Sequence, residues 1–312
     1  MKKKIWISTA AGAALVFGTA ANMSNNPSQG SSEDSVVIND WLIVGEPPVF
    51  TPGEASLSVG FGSVAEGISS TAMGCYTTAS GDYSTATGGF TKASANYATT
   101  MGLATVASGW ASTAMGAYTR ASGQHSIAMG QGTAALGYAS TAMGRYTTAS
   151  GSYSVAMGGG TLASGIGAIA TGVYSAASGA GATAMGSVTT ASGAYSVAMG
   201  SASFASGSRS IATGDNTIAH GQNTTVIGQY NESILADVND DPRLPNEDGH
   251  LFVVGNGTDP GNRSNAMVVY HDGAVDVGKN PSDGSVPLQV NSDGSVILAE
   301  AQGDISMGDF GN

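Results

Sequence analysis

The chain has 312 residues, of which 47 are glycine, and only 10% of its residues are charged. The formal net charge is −12, and residues 229–312 alone carry fourteen acidic against three basic side chains, which argues against nucleic acid as a partner. Cys75 is the only cysteine, so strand pairing and packing rather than disulfides must hold the fold together.

Residues 1–21 have the pattern of a secretory signal peptide. Three lysines, 2–4, precede a short apolar run at 5–17, and the small residues Thr19, Ala20 and Ala21 offer a cleavage site. An uncleaved membrane anchor is the alternative, but the apolar run is short and a polar tract follows it. We therefore predict a secreted or cell-surface, extracellular protein with no transmembrane anchor of its own.

Residues 22–54 are predicted to form a polar linker followed by N-terminal cap strands. Short apolar runs at 36–38 and 41–44 have the composition of strands and precede Pro47 and Pro48. The end of a repeat array needs a cover, which a cap would supply. The alternative is that this strand is donated to a neighbouring molecule, which would build a polymer.

Between residues 55 and 228 a glycine recurs at every fourteenth position. The positions of this first series are Gly60, Gly74, Gly88, Gly102, Gly116, Gly130, Gly144, Gly158, Gly172, Gly186, Gly200, Gly214 and Gly228. A second series runs seven residues out of phase from Gly67 to Gly221, and only Ala95 interrupts it. The strict period and the many β-branched residues predict an all-β fold, a parallel β-roll solenoid of 14-residue coils with two short strands per coil.

Three stripes of side chains run along the first strand of each coil. The residue three before each first-series glycine is usually β-branched, the next is usually alanine, and the residue directly before the glycine is usually methionine. The methionines are Met73, Met101, Met115, Met129, Met143, Met157, Met185 and Met199. Alternate strand residues face opposite sides, so the methionine and β-branched stripes share one face and alanine lines the other.

A coil this thin has room inside for little more than alanine-sized groups. The methionine row would then lie in water along one roll, which predicts that several rolls pack around a common symmetry axis. The alternative is that methionine fills the interior of a single roll. The second strand of each coil carries one alanine row beside serine and threonine, which predicts one dry and one wet face.

The pattern Ser-x-Ala-Met-Gly-x-x-x-x-Ala-Ser-Gly resembles the head repeat of YadA-like trimeric autotransporter adhesins. Residues 154–158 and 196–200, both Ser-Val-Ala-Met-Gly, match closely, and the resemblance covers about residues 55–228. It implies a left-handed, homotrimeric β-roll in which the methionine row is the trimer interface. It also implies adhesion to a host or matrix protein or glycan through many repeated contacts.

Residues 229–312 are predicted to form an acidic β-hairpin domain for trimerisation or attachment. Asp-Gly pairs at 272–273, 283–284 and 293–294 lie between apolar runs, as in tight hairpins. The heptad stalk and membrane barrel of the adhesins have no counterpart after residue 228.

No catalytic or cofactor-binding residues are predicted. Glycan hydrolysis needs paired carboxylates, and the roll has almost none, since Glu66, Asp82 and Asp215 are its only acids. In residues 229–312, Asp237, Asn239 and Asp241 have a spacing compatible with Ca²⁺. They lack the glycine and distant glutamate of a helix–loop calcium site, so the alternative is a solvated acidic loop.

Tyrosines recur two residues after the first-series glycine, at Tyr76, Tyr118, Tyr146 and Tyr174. One interpretation is that their rings stack on neighbouring coils and shield the turn. The other is a ligand-binding face. The sequence thus favours an adhesin-like head and leaves one alternative from another class, a structural subunit of an extracellular filament or sheath without a ligand.

Overall fold

The computed structural model describes residues 15–17, 42–44, 56–232, 249–278 and 288–298. Every regular element within these ranges is a strand. The chain divides into two compact units, Met1–Tyr153 and Ser154–Asn312.

The first unit contains a sheet of long strands and a sheet of short ones. The long-strand sheet comprises β1 (Leu15–Phe17), β2 (Leu42–Val44), β3 (Leu57–Val59), β5 (Thr71–Cys75), β7 (Thr85–Gly89), β9 (Thr99–Leu103), β11 (Thr113–Ala117), β13 (Ile127–Gln131) and β15 (Thr141–Arg145). The short-strand sheet comprises β4 (Val64–Ala65), β6 (Thr78–Ala79), β8 (Lys92–Ala93), β10 (Val106–Ala107), β12 (Arg120–Ala121), β14 (Ala134–Ala135) and β16 (Thr148–Ala149).

The second unit repeats this plan. Its long strands are β17 (Val155–Gly159), β19 (Ile169–Val173), β21 (Thr183–Ser187), β23 (Val197–Ser201), β25 (Ile211–Asp215) and β27 (Thr225–Gln229). Its short strands are β18 (Leu162–Ala163), β20 (Ala176–Ala177), β22 (Thr190–Ala191), β24 (Phe204–Ala205) and β26 (Ile218–Ala219). Five more strands follow: β28 (His250–Asn256), β29 (Asn265–Tyr270), β30 (Val275–Val277), β31 (Leu288–Val290) and β32 (Val296–Leu298).

The register of the sheets explains the glycine period. Met115 pairs with Met129 across the parallel β11 and β13, and Ala121 pairs with Ala135 across the parallel β12 and β14. Each residue therefore lies beside its equivalent fourteen positions on, so one repeat is one coil. The prediction of a parallel β-solenoid with 14-residue coils is confirmed.

The interior of the coils holds only small side chains. In a typical coil the inward-facing residues are Ser112, Ala114, Thr119 and Ala121, none more than 1% exposed. The Ser112 hydroxyl donates to the Ala121 carbonyl oxygen across the interior at 3.2 Å. Two facing alanines fill the space between the sheets, which leaves no volume for a methionine side chain.

The glycines are required where neighbouring coils approach most closely. Gly88 has φ +114°, and a methyl group on its Cα would overlap the Gly102 carbonyl oxygen of the next coil. Gly89, one residue later, has no positive φ, and an added methyl would make an ordinary contact with the Leu103 side chain. The period is therefore set by backbone-to-backbone distance as well as by backbone conformation.

The sheets change character at each end. At the N-terminal end, β2 pairs in parallel with β3 and antiparallel with β1. The expected strand at 36–38 lies outside the described residues. The segment at 42–44 does form a strand, β2, which lies between β1 and β3 in the long-strand sheet.

At the other end, an asparagine takes the place of a strand. The buried Asn231 side chain accepts a hydrogen bond from the Ile218 N–H at 2.7 Å and donates to the Ile218 carbonyl oxygen at 3.0 Å. Arg263 donates to the backbone carbonyl oxygens of Asn216 and Asn231 at 2.9 and 3.2 Å. The edge of the short-strand sheet at β26 thus has its backbone groups satisfied by a side-chain amide.

The long-strand sheet of the second unit continues and then reverses its direction of pairing. β28 pairs in parallel with β27, whereas β28 to β32 pair successively antiparallel. Turns containing Asp272-Gly273 and Asp293-Gly294 join two of these antiparallel pairs, and both glycines have positive φ. The Asp283-Gly284 pair lies outside the described residues.

Candidate assembly and ligand-binding surfaces

The methionine row lies on the outer face of the long-strand sheet in both units. Ala128 of β13 is fully buried, while its neighbours Ile127 and Met129 face outward. Three row members, Met73, Met101 and Met185, are 38–47% exposed, and the others are half-buried. The methionines therefore do not fill the interior of a roll. Together with the β-branched stripe they form an outer face rich in Met, Ile and Val, which threonine interrupts, as at Thr85 and Thr87 of β7.

The tyrosines of the first turn lie on the surface in a backbone conformation unusual for an aromatic residue. The φ angles of Tyr76, Tyr118, Tyr146 and Tyr174 are 52–56°. The N–H of Tyr146 donates to the Gln131 carbonyl oxygen of the preceding coil at 2.8 Å. This bond between coils offsets part of the cost of the left-handed conformation.

These tyrosines do not form a continuous row of rings. Tyr76 packs between Phe61 and Phe90, with ring centroids 5.3 Å apart on both sides. The Tyr76 ring also lies over Gly62 of the preceding coil, and the rings of Tyr146 and Tyr174 lie over Gly132 and Gly160 in the same way. A methyl group at any of these glycines would collide with the ring. The geometry is therefore that of rings covering small residues, while each ring keeps about half or more of its surface exposed.

A longer row of rings lies at the second turn of the first unit. We call it the aromatic row. Its members are Tyr83, Tyr97, Trp110, His125, Tyr138 and Tyr153. Successive ring centroids are 4.7–5.7 Å apart, one ring per coil.

A strict fourteen-residue spacing of aromatic residues does not find the whole aromatic row. The period places its members at 83, 97, 111, 125, 139 and 153, but positions 111 and 139 are alanine. Trp110 and Tyr138, each one residue earlier, supply the rings instead. Allowing an aromatic residue to move by one position at a turn would have found the row.

Two clusters of polar side chains in the second unit contain residue types that occur in catalytic or metal-binding sites. His220 Nδ1 lies 2.6 Å from Ser206 Oγ, and burial lowers the pKa of His220. Both residues occupy the same position of adjacent coils next to a second-series glycine, so the pair is part of the turn.

The other cluster lines a shallow acidic cavity of about 450 Å³ beside β30. There Tyr270 Oη donates to Asp276 Oδ2 at 2.8 Å, and burial and this bond raise the pKa of Tyr270. Across the described ranges, no three His, Cys, Asp or Glu residues are grouped so that they could hold a metal ion. The calcium candidates Asp237, Asn239 and Asp241 lie outside those ranges.

These features define a β-roll repeat protein: the coils have small residues inside, the outer face of the long-strand sheet is rich in apolar side chains, and aromatic rings lie exposed at the turns. The family model described as the YadA head domain repeat, in two copies, matches residues 52–74, 79–103, 107–133, 135–161, 163–189, 177–203 and 191–217. These segments span just over half of the chain, and the chain belongs to the YadA head repeat family. No curated protein gives a match. The part of the chain that the structure describes has no helix long and apolar enough to cross a membrane.

Proposed function

We propose that this chain is the head of a homotrimeric extracellular fibre that mediates adhesion through multivalent contact. The observation that carries the proposal is the methionine face. It lies on the outside of a sheet whose inner face is already closed by alanine. The exposed Met, Ile and Val side chains of this face favour a partner surface, and membership of the YadA head family supports a trimer as the form of that partner.

The composition of the face fits an interface between identical chains. Within the first unit, β11, β13 and β15 present Thr113, Ile127, Thr141 and three methionines on this side. The charged Arg145 lies at the end of β15, where its guanidinium packs over the Tyr146 ring. Methionine adapts its shape to irregular neighbours, which suits a contact repeated in every coil. In the proposed trimer the roll is left-handed, and the three long-strand sheets face the common axis.

The remaining parts of the chain have roles that follow from this assembly. Residues 1–21 direct export as a signal peptide, and its cleavage would remove β1 and leave β2 as the edge strand. Residues 22–54 form the linker and cap, 55–228 form the head, and 229–312 trimerise or attach it. The antiparallel strands support the last role, since Val296 and Ile297 of β32 are 58% and 50% exposed. Paired with the same strands of neighbouring chains, they would be buried.

The test of the trimer is the solution mass of residues 22–312, measured by light scattering. We expect three times the chain mass. A Met129→Asp, Met143→Asp double variant should give monomers, because each carboxylate would be buried at the axis. Thr148→Asp on the outer side of β16 is the control and should leave the mass unchanged. A stable wild-type monomer would refute the proposal.

Adhesion is tested with the same proteins on surfaces coated with cells or extracellular matrix. The trimer should bind at least about a hundredfold more tightly than the monomeric variant, because linked weak contacts multiply. Purified protein that forms fibres and binds none of these surfaces would favour the filament-subunit alternative.

A further inference from the structure

The aromatic row of the first unit has features that turn packing does not require. Neighbouring coils close the same turn without an aromatic ring, with Ser69, Gly167 or Gly181 at the equivalent position. The fold therefore does not need a ring there. The six rings are nonetheless continuous over six coils, and at Ala111 and Ala139 the residue before supplies the missing ring.

The rings are presented outward. Tyr83, Tyr97, Trp110, Tyr138 and Tyr153 are between 43% and 61% exposed, and His125 is also exposed. Each ring contacts the next along the roll, while its outer surface faces solvent. A strip of exposed aromatic surface one ring wide runs parallel to the roll axis and advances one ring per coil.

Polar side chains flank the rings on the same turns. Asp82, Asn96 and Gln124 directly precede Tyr83, Tyr97 and His125, and an Asn96 side-chain N–H lies 3.4 Å from Asp82 Oδ2. Among the ring positions and the residues that directly precede them, Asp82 is the one acidic residue, and none is lysine or arginine. Tyr83 and Tyr97 stack with nearly parallel planes, whereas the other successive rings cross at 73–79°. The strip therefore offers a mixture of ring edges and ring faces, with amide groups beside them and nearly no net charge.

We propose that the aromatic row binds an extended, neutral glycan chain, whose sugar rings lie along the exposed side of the row. This deepens the adhesion proposed above and rests on it. The C–H face of a pyranose packs against an aromatic ring while the hydroxyl groups at its rim seek amide and carboxylate partners, which Asn96, Gln124 and Asp82 supply. An extended glycan repeats one flat ring at a time, as the row does. The low charge selects a neutral chain over an anionic one.

The experiment measures binding of cellohexaose, chitohexaose and their disaccharides to residues 22–312 by isothermal titration calorimetry. We expect binding of at least one hexasaccharide and much weaker binding of its disaccharide, because the shorter chain covers two rings. Trp110→Ala and Tyr138→Ala should each weaken binding about tenfold, since each removes an exposed ring from the middle of the row. Both positions precede the left-handed residue of the turn, so the coil is preserved, which circular dichroism checks.

Tyr146→Ala is the matched control, because it removes an exposed ring of the first turn and should leave glycan affinity unchanged. Equal loss in Tyr146→Ala and Trp110→Ala, or no binding of either hexasaccharide, overturns the glycan row. Adhesion to protein-coated surfaces is measured in parallel. If the protein adheres to protein-coated surfaces but binds no glycan, the glycan proposal alone is refuted and the adhesive contact is assigned to protein. If it neither adheres nor binds glycan, the adhesin proposal is refuted as well.

Discussion

Thr189 Oγ1 donates a hydrogen bond to Ser175 Oγ of the preceding coil at 2.9 Å, and Ser175 Oγ in turn donates to the Gly186 carbonyl oxygen at 3.0 Å. Thr77 with Ser63, and Thr217 with Ser203, repeat the arrangement. Where threonine follows threonine in this column, the hydroxyls are buried without a partner among the described residues, as at Thr119 and Thr133. One serine therefore satisfies the threonine hydroxyl of the next coil.

Thr119→Val should stabilise the protein by about 1 kcal/mol. Valine keeps the shape of threonine and removes a hydroxyl whose burial is uncompensated. Thr189→Val is the control and should destabilise by about 1 kcal/mol, because the bond to Ser175 is lost. Denaturant unfolding of both variants measures the two free energies, and the same sign for both would contradict the assignment.

Gly88→Ala should destabilise the first unit by at least about 3 kcal/mol, because it combines an unfavourable φ with overlap of the Gly102 carbonyl oxygen. Gly89→Ala, one residue later, should be neutral or stabilise by up to about 1 kcal/mol. Thermal unfolding of the pair separates the position-specific requirement from a general effect of removing glycine.

Val188→Gly should stabilise the second unit by about 1 kcal/mol. Val188 is β-branched and has φ +57°, while the same position in other coils is Gly160 or Asn216. Its hydrogen-bond partner Val173 provides the control: it is similarly exposed and lies in β19, so Val173→Gly should destabilise. A loss of stability in Val188→Gly would show that the valine side chain makes a contact worth more than the strain.

The stability of the second unit should fall as the pH drops below about 6.5, the pKa of an unperturbed histidine. Burial lowers the pKa of His220 in the folded protein, so between the two pKa values the unfolded chain takes up a proton that the folded chain resists. Above pH 6.5 His220 is neutral in both states, and it then costs the folded protein no stability. His220→Ser, which restores the residue of the neighbouring coil, should reduce the difference in unfolding midpoint between pH 7.5 and 5.5. An unchanged difference would exclude His220 as its source.

The repeat made much of the fold predictable. A strict period fixes the register, so that the burial of Ala114 and Ala121 and the outward position of Met115 followed from strand alternation. The positive φ of Tyr146 could not be predicted from the sequence, because tyrosine rarely adopts it. The compensating hydrogen bond to Gln131 depends on how the coils stack. Trp110 and Asn231 did not follow from the repeat either. The Trp110 ring fills the place of a ring expected one position later, and the Asn231 side chain makes the hydrogen bonds that a further strand would make.

The alanine-filled interior also determines how the head can change in length. Because each coil presents the same small cross-section to the next, removing the fourteen residues 99–112 would join β7 to the coil that begins with β11 with the same registers and the same interior. Duplicating the same fourteen residues would add one coil with the same registers and interior. Within such a roll, length is free to vary in steps of one coil, about 4.8 Å each, without any redesign of the packing.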